Sequence, residues 1–172
     1  MTKEIPNKNY IILAVIILIT ILAVFYARNW YITTKEYNSD NSPVTKAINE
    51  IHQEELDNYA LENSKFILYT SSGLNPNIKN FETKFRKFII NKNLSQSMLY
   101  INTADIDLEH LNRQLKNYAA TENIKSKINS TENVNMYIFE NQKIISVITE
   151  TNKLEIKQIN EILKENGMLD NA

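Results

Sequence analysis

Between Lys8 and Arg28 the chain runs without a single charge, and residues 10–27 are apolar on every side. As a helix this stretch spans about 27 Å, close to the roughly 30 Å of a bilayer's hydrocarbon layer. Tyr10 at one end and Tyr26, Trp30 and Tyr31 at the other are spaced like the aromatic belts of the two membrane interfaces. A buried helix of a soluble protein has no use for such belts, so the segment is expected to be a single membrane span. A cleaved signal peptide is the competing reading, but the apolar run is long and Phe25, Tyr26 and Ala27 make a poor small-x-small cleavage site. Lipid attachment through an acylated cysteine is excluded, because the chain has none. Lys3, Lys8 and the terminal amine slightly outweigh Arg28 and Lys35, which orients the nine-residue tail inward and the rest of the chain outside the cytoplasm.

Once residues 1–9 (tail), 10–27 (span) and 28–42 (a polar, unpatterned linker) are set aside, roughly 110 to 130 residues remain, the commonest size for one domain. With 19 basic and 20 acidic residues, the chain has no electrostatic footprint for nucleic acid. The absence of cysteine removes disulfides, thiolate-bound zinc and thiol nucleophiles together.

The globular part reads as alternating strands and helices. Ser42 and Pro43 resemble an N-cap and first helical position, and the apolar residues Val44, Ala47, Ile48, Ile51, Leu56, Tyr59 and Ala60 suggest a leading or stalk helix over 43–63, although their spacings mix three, four and five. The domain proper is then residues 64–172. Residues 65–70 form a β-prone, nearly continuous apolar run, as a strand buried on both faces requires. Ile78, Phe81, Phe85, Phe88 and Ile89 mark one face of the following helix, with Lys79, Glu82, Lys84, Arg86 and Lys87 assigned to the polar face. Residues 98–101 read as a second buried strand, completing a βαβ unit with a parallel pair. Asp107 caps a helix carrying Leu108, Leu111, Leu115, Tyr118 and Ala119, which Ile124 and Ile128 extend or follow with a further turn. Strands over 136–139 and 143–149 are close enough to form a hairpin, and a last helix after Asn152, with Glu155 in its cap, carries Ile156, Ile159, Ile162 and Leu163 and stops at Gly167.

Residues 69–77, Tyr-Thr-Ser-Ser-Gly-Leu-Asn-Pro-Asn, read without gaps against the thioredoxin stretch Phe-Trp-Ala-Glu-Trp-Cys-Gly-Pro-Cys, place Pro76 on the motif proline and put Leu74 and Asn77 where the two cysteines stand. Residues 136–143, Met-Tyr-Ile-Phe-Glu-Asn-Gln-Lys, resemble the hairpin Leu-Leu-Leu-Phe-Lys-Asn-Gly-Glu. The chain thus resembles the thioredoxin-like superfamily over 65–167, and membrane-anchored members of Gram-positive bacteria, among them bacteriocin-transport accessory proteins, share the anchor-plus-domain plan. The resemblance implies an α/β fold with a mixed sheet, β-α-β-α-β-β-α after a leading helix, behind the N-terminal transmembrane helix. It also implies a shallow groove formed by Ser71, Ser72, Gly73, Leu74, Asn75, Pro76 and Asn77 with Val134, which occupies the position of the family's cis-proline. Val134 is expected in a trans peptide, since a cis bond there costs about 2.5 to 4 kcal/mol.

Dithiol exchange needs a thiolate, so it is closed to this chain. Ser71 or Ser72 could act as a nucleophile only with an oriented base, and His52 and His110, the sole imidazoles, carry no triad or metal spacing. Glu54 with Glu55, and Asp105 with Asp107, lack the spaced ligands of a calcium loop, and no glycine-rich phosphate loop exists. No cofactor is indicated. The leading expectation is a membrane-anchored, redox-inactive protein-binding or accessory module whose partner is another protein, such as a membrane complex or transporter, rather than nucleic acid. The alternatives are a non-thiol enzyme using Ser71 or Ser72 in the same groove, and a stalk or oligomerisation domain.

Overall fold

The computed structural model describes residues 7–40, 42–73, 75–104, 106–129 and 134–169, and the chain divides into a unit ending at Asp40 and a second beginning at Asn41. The first unit is one helix, α1 (Asn7–Asp40), which contains a 19-residue window, Ile12–Trp30, of mean hydropathy 2.2 with no residue buried. By length and composition it is sufficient to cross a membrane. Tyr26 and Trp30 are exposed on it. The linker expected over 28–42 is helical as far as Asp40. No proline or glycine lies between Pro6 and Pro43, so nothing in the sequence interrupts a helix that the apolar segment has already nucleated.

In the second unit the expected single helix over 43–63 is absent. Ser42 does act as an N-cap, its hydroxyl accepting from the Val44 amide, but for a 3₁₀ turn of only four residues, Pro43–Lys46. The chain then forms the short strand β1 (Asn49–Glu50), a second 3₁₀ turn, Gln53–Glu55, and the helix α2 (Leu56–Glu62). The reason lies in burial. Val44 and Ile48 belong to the core on one side of the sheet, Leu56 and Ala60 to the core on the other. A straight helix cannot face both, so the chain must cross the sheet edge between them, and the mixed apolar spacing records that crossing.

The remaining elements are β2 (Lys65–Ser71), α3 (Pro76–Asn91), β3 (Met98–Asn102), α4 (Leu108–Asn117), α5 (Glu122–Lys127), β4 (Asn135–Glu140), β5 (Lys143–Ile148) and α6 (Ile156–Glu165). The strand order is β1-β3-β2-β4-β5. Strands β1 and β2 run parallel to β3, while β4 runs antiparallel to β2 and to β5. A parallel βαβ half and an antiparallel ββα half therefore share one mixed sheet, the thioredoxin-like arrangement, with β1 added at the edge.

Strand β2 lies at the centre, and its alternate residues serve two cores. Ile67 and Tyr69 pack under α3 and α6, while Phe66 and Leu68 pack under α2 and α4. Phe81, Phe85 and Phe88 stack along α3, and Phe66 stacks on Phe139 at 4.4 Å on the opposite side. The hairpin turns on Asn141 and Gln142, both at positive φ, as a two-residue connection of twisted strands demands. Helix α6 starts three residues later than Asn152 suggested. Residues 151–153 form a 3₁₀ turn, and Glu155 becomes the cap, paired reciprocally with Gln158. Gly167, at φ +64°, ends it as expected.

Candidate functional site

The residues after β2 divide according to what each backbone position allows. Ser71, the last residue of β2, is fully buried, and its hydroxyl donates to Glu82 Oε1 at 2.6 Å. Gly73 is buried at φ +64°, a conformation that side chains rarely adopt, donates its amide to Ser71 Oγ at 3.1 Å, and lies so close to Ser42 that a Cβ would sit a tight 3.3 Å from the Ser42 Cβ. Asn75 caps α3 by accepting the Asn77 amide at 2.8 Å, and Pro76 takes the first helical position. Leu74 lies outside the described residues. Val134 is buried in the core beneath α3 and accepts the Thr151 amide at 2.8 Å, so its side chain offers no surface. No cis peptide bond occurs among the described residues.

Three members of the expected groove, Ser72, Asn75 and Pro76, do share a cavity, of about 490 Å³. Its other walls are Ile78 on α3, Thr103 and Ala104 after β3, and Ile106 and Leu108 at the start of α4, none of which the sequence had assigned to the groove. The location has a topological cause. Strands β2 and β3 are adjacent and parallel, and the helices that follow them go to opposite faces, α3 to one core and α4 to the other. The loops at the carboxyl ends of the two strands diverge and leave a crevice, the usual ligand position in open α/β sheets. Asn77 points elsewhere, into a separate cavity of about 400 Å³ with Asn80, Phe81, Lys84, Asn152 and Leu154.

The cleft is apolar along Pro76, Ile78, Ile106 and Leu108, with isolated polar groups. The most telling is Thr103, which is 6% exposed and whose Oγ1 has no hydrogen-bond partner among the described residues. An unmade hydrogen bond at a buried hydroxyl costs about 1 to 3 kcal/mol. Ser72 also lines the cleft, but neither His52 nor His110 does. His110 instead contacts Gln53, and the His52 amide donates to Glu55, whose carboxylate is committed to that turn. Asp107 accepts the Glu109 and His110 amides at the N-terminus of α4, and these bonds, that from His110 foremost, hold its carboxyl below the ordinary value. Asp105 lies outside the described residues.

Behind the cleft is a feature that contradicts the assignment of Glu82 to the polar face of α3. Glu82 is fully buried. Its Oε1 accepts from Tyr69 Oη at 2.9 Å and from Ser71 Oγ, and its Oε2 accepts from Ser42 Oγ at 2.6 Å. Burial raises its pKa above the ordinary carboxyl value, while the three hydroxyl bonds act in the opposite direction. Burial likewise pushes the Tyr69 and Tyr100 phenols well up. A signal was present in the spacing: residue 82 follows Ile78 by four and precedes Phe85 by three, which places it on the apolar stripe despite its charge.

No protein-family model and no curated protein sequence matches this chain. Among solved structures it is similar to thioredoxin f2 of Chlamydomonas reinhardtii, with a TM-score of 0.48 at 7% identity over 69% of this chain and 95% of that one. It is also similar to mitochondrial thioredoxin 3 of Saccharomyces cerevisiae in its oxidized form, with a TM-score of 0.47 at 11% identity over 72% and 99%.

Proposed function

We propose that this chain is a membrane-anchored, redox-inactive accessory module that binds a segment of another protein in the cleft between Ser72, Pro76 and Thr103. The observation carrying this reading is the buried Thr103 hydroxyl, without a hydrogen-bond partner among the described residues, inside an apolar crevice at the carboxyl ends of β2 and β3. A peptide backbone group can complete that hydrogen bond while an adjacent side chain fills the space beside Ile78 and Leu108. The absence of any cysteine removes dithiol exchange as the task of the site. Helix α1 supplies the anchor, with the second unit outside the cytoplasm.

A photoreactive phenylalanine analogue at Asn75, in the full chain in native membranes, tests the reading. Expected is a discrete crosslinked protein, lost when Ile78→Asp blocks the cleft and weakened by Thr103→Val. Crosslinking that persists unchanged in both variants overturns it. Alkaline carbonate extraction checks the anchor, since a spanning chain stays with the membrane pellet and a peripheral one is released. Protease digestion of intact cells checks the side, because an outward domain is cut without lysis.

A further inference from the structure

Glu82 has no role in the cleft, yet it gathers three hydroxyl groups from two separate segments and forms no ion pair among the described residues. From the 3₁₀ turn at the start of the domain, Ser42 faces it; from β2, Tyr69 and Ser71. From β3, Tyr100 lies alongside and donates to the Ser71 carbonyl at 2.9 Å, with Glu50 acting on Tyr100 in turn. On α3 itself the nearest cationic influence is Lys79, and Glu82 belongs to none of the ion pairs among the described residues. Three donors fit an ionised carboxylate, but a buried carboxylate without a cation favours water or a proton.

The cover over this group comes from two parts of the chain, and on one side it is residues 42–48, where Ser42, Val44 and Ile48 are buried. Tyr69 and Ser71 belong to the central strand, whereas Ser42 caps the short 3₁₀ turn Pro43–Lys46, after which the Ala47 and Ile48 amides both donate to the Val44 carbonyl, at 2.8 and 3.1 Å. We propose that Glu82 is a proton-binding site that controls how tightly residues 42–47 close over the domain. The protonated acid is content in a dry site, so the turn stays closed. The ionised form gains solvation when the turn lifts, so opening increases with pH. The raised proton affinity of the closed site is the same linkage seen from the other side.

Hydrogen exchange of the full chain in mild detergent tests this, with rates corrected for the intrinsic pH dependence. Expected is that opening of the segment containing the Ala47 and Ile48 amides rises by up to about tenfold per pH unit above the ordinary carboxyl range and then levels off, while the β4 amides stay unchanged. In Glu82→Gln the profile becomes flat. In Ser42→Ala, which folds without altering the acid but removes a bond that favours its charged form, the transition moves to higher pH. A wild-type profile that is flat, one that persists in Glu82→Gln, a Ser42→Ala transition that does not move up, or β4 amides that open in parallel would each overturn the proposal.

Discussion

Taking a carboxylate out of water costs several kcal/mol, and at Glu82 that cost is offset chiefly by three hydroxyl donors, with a lesser contribution from the Lys79 charge. The pH dependence follows with a definite sign. The folded-state pKa of Glu82 is raised above its unfolded value, so the stabilisation from its proton is complete below the unfolded carboxyl range and is lost as pH rises through the folded value. Denaturant midpoints measured across pH are therefore expected to fall over that window in the wild type relative to Glu82→Gln, the gap widening with pH. A gap constant with pH would contradict it. Thr103 makes an opposite case, a polar group with no hydrogen-bond partner among the described residues. Thr103→Val is expected to be neutral or to stabilise the free domain by up to about 1 kcal/mol, read as a denaturation midpoint, while weakening capture of a partner. Neither residue announced this by its type, although the spacing of Glu82 put it on the apolar stripe. Glu82 was masked by its charge, and Thr103 by the ordinariness of a threonine after a strand.

At the scale of elements, local chemistry and distant packing can be told apart. Asp107 caps α4 through bonds to residues two and three positions on, and Asp107→Ala is expected to cost about 1 kcal/mol, seen as a lower thermal midpoint. Helix α3 depends instead on the stack of Phe81, Phe85 and Phe88 against Tyr69. Phe85, fully buried at its centre, is expected to cost about 3 to 5 kcal/mol when changed to alanine, by chemical denaturation. The Asp107 cap, the hairpin and the amphipathic stripe of α3 were legible because each is written within a few consecutive residues. The course of residues 43–63 was not, because β1 exists only through its pairing with β3, where Asn49 lies opposite Leu99.

For the whole molecule, the two cores are separated by the sheet yet share it residue by residue along β2. They are expected to melt together. Phe85→Ala in one core and Leu111→Ala in the other should lower the same single unfolding transition of the second unit, monitored by circular dichroism. Two resolved transitions would show that the cores are independent. The sequence by itself determined an apolar helix able to span a bilayer, a parallel βαβ unit followed by an antiparallel hairpin, the cap of α4, and the exclusion of thiol chemistry. These depend on residue type and on spacing over a few positions. The tertiary structure alone decided that the leading segment crosses the sheet edge, that Glu82 is buried beneath Ser42 forty residues away, and that Thr103 and Ser72 line one cleft. Each of those requires chain segments far apart in sequence to be brought into contact, and burial in a shared core overrides what any of their residues prefers alone.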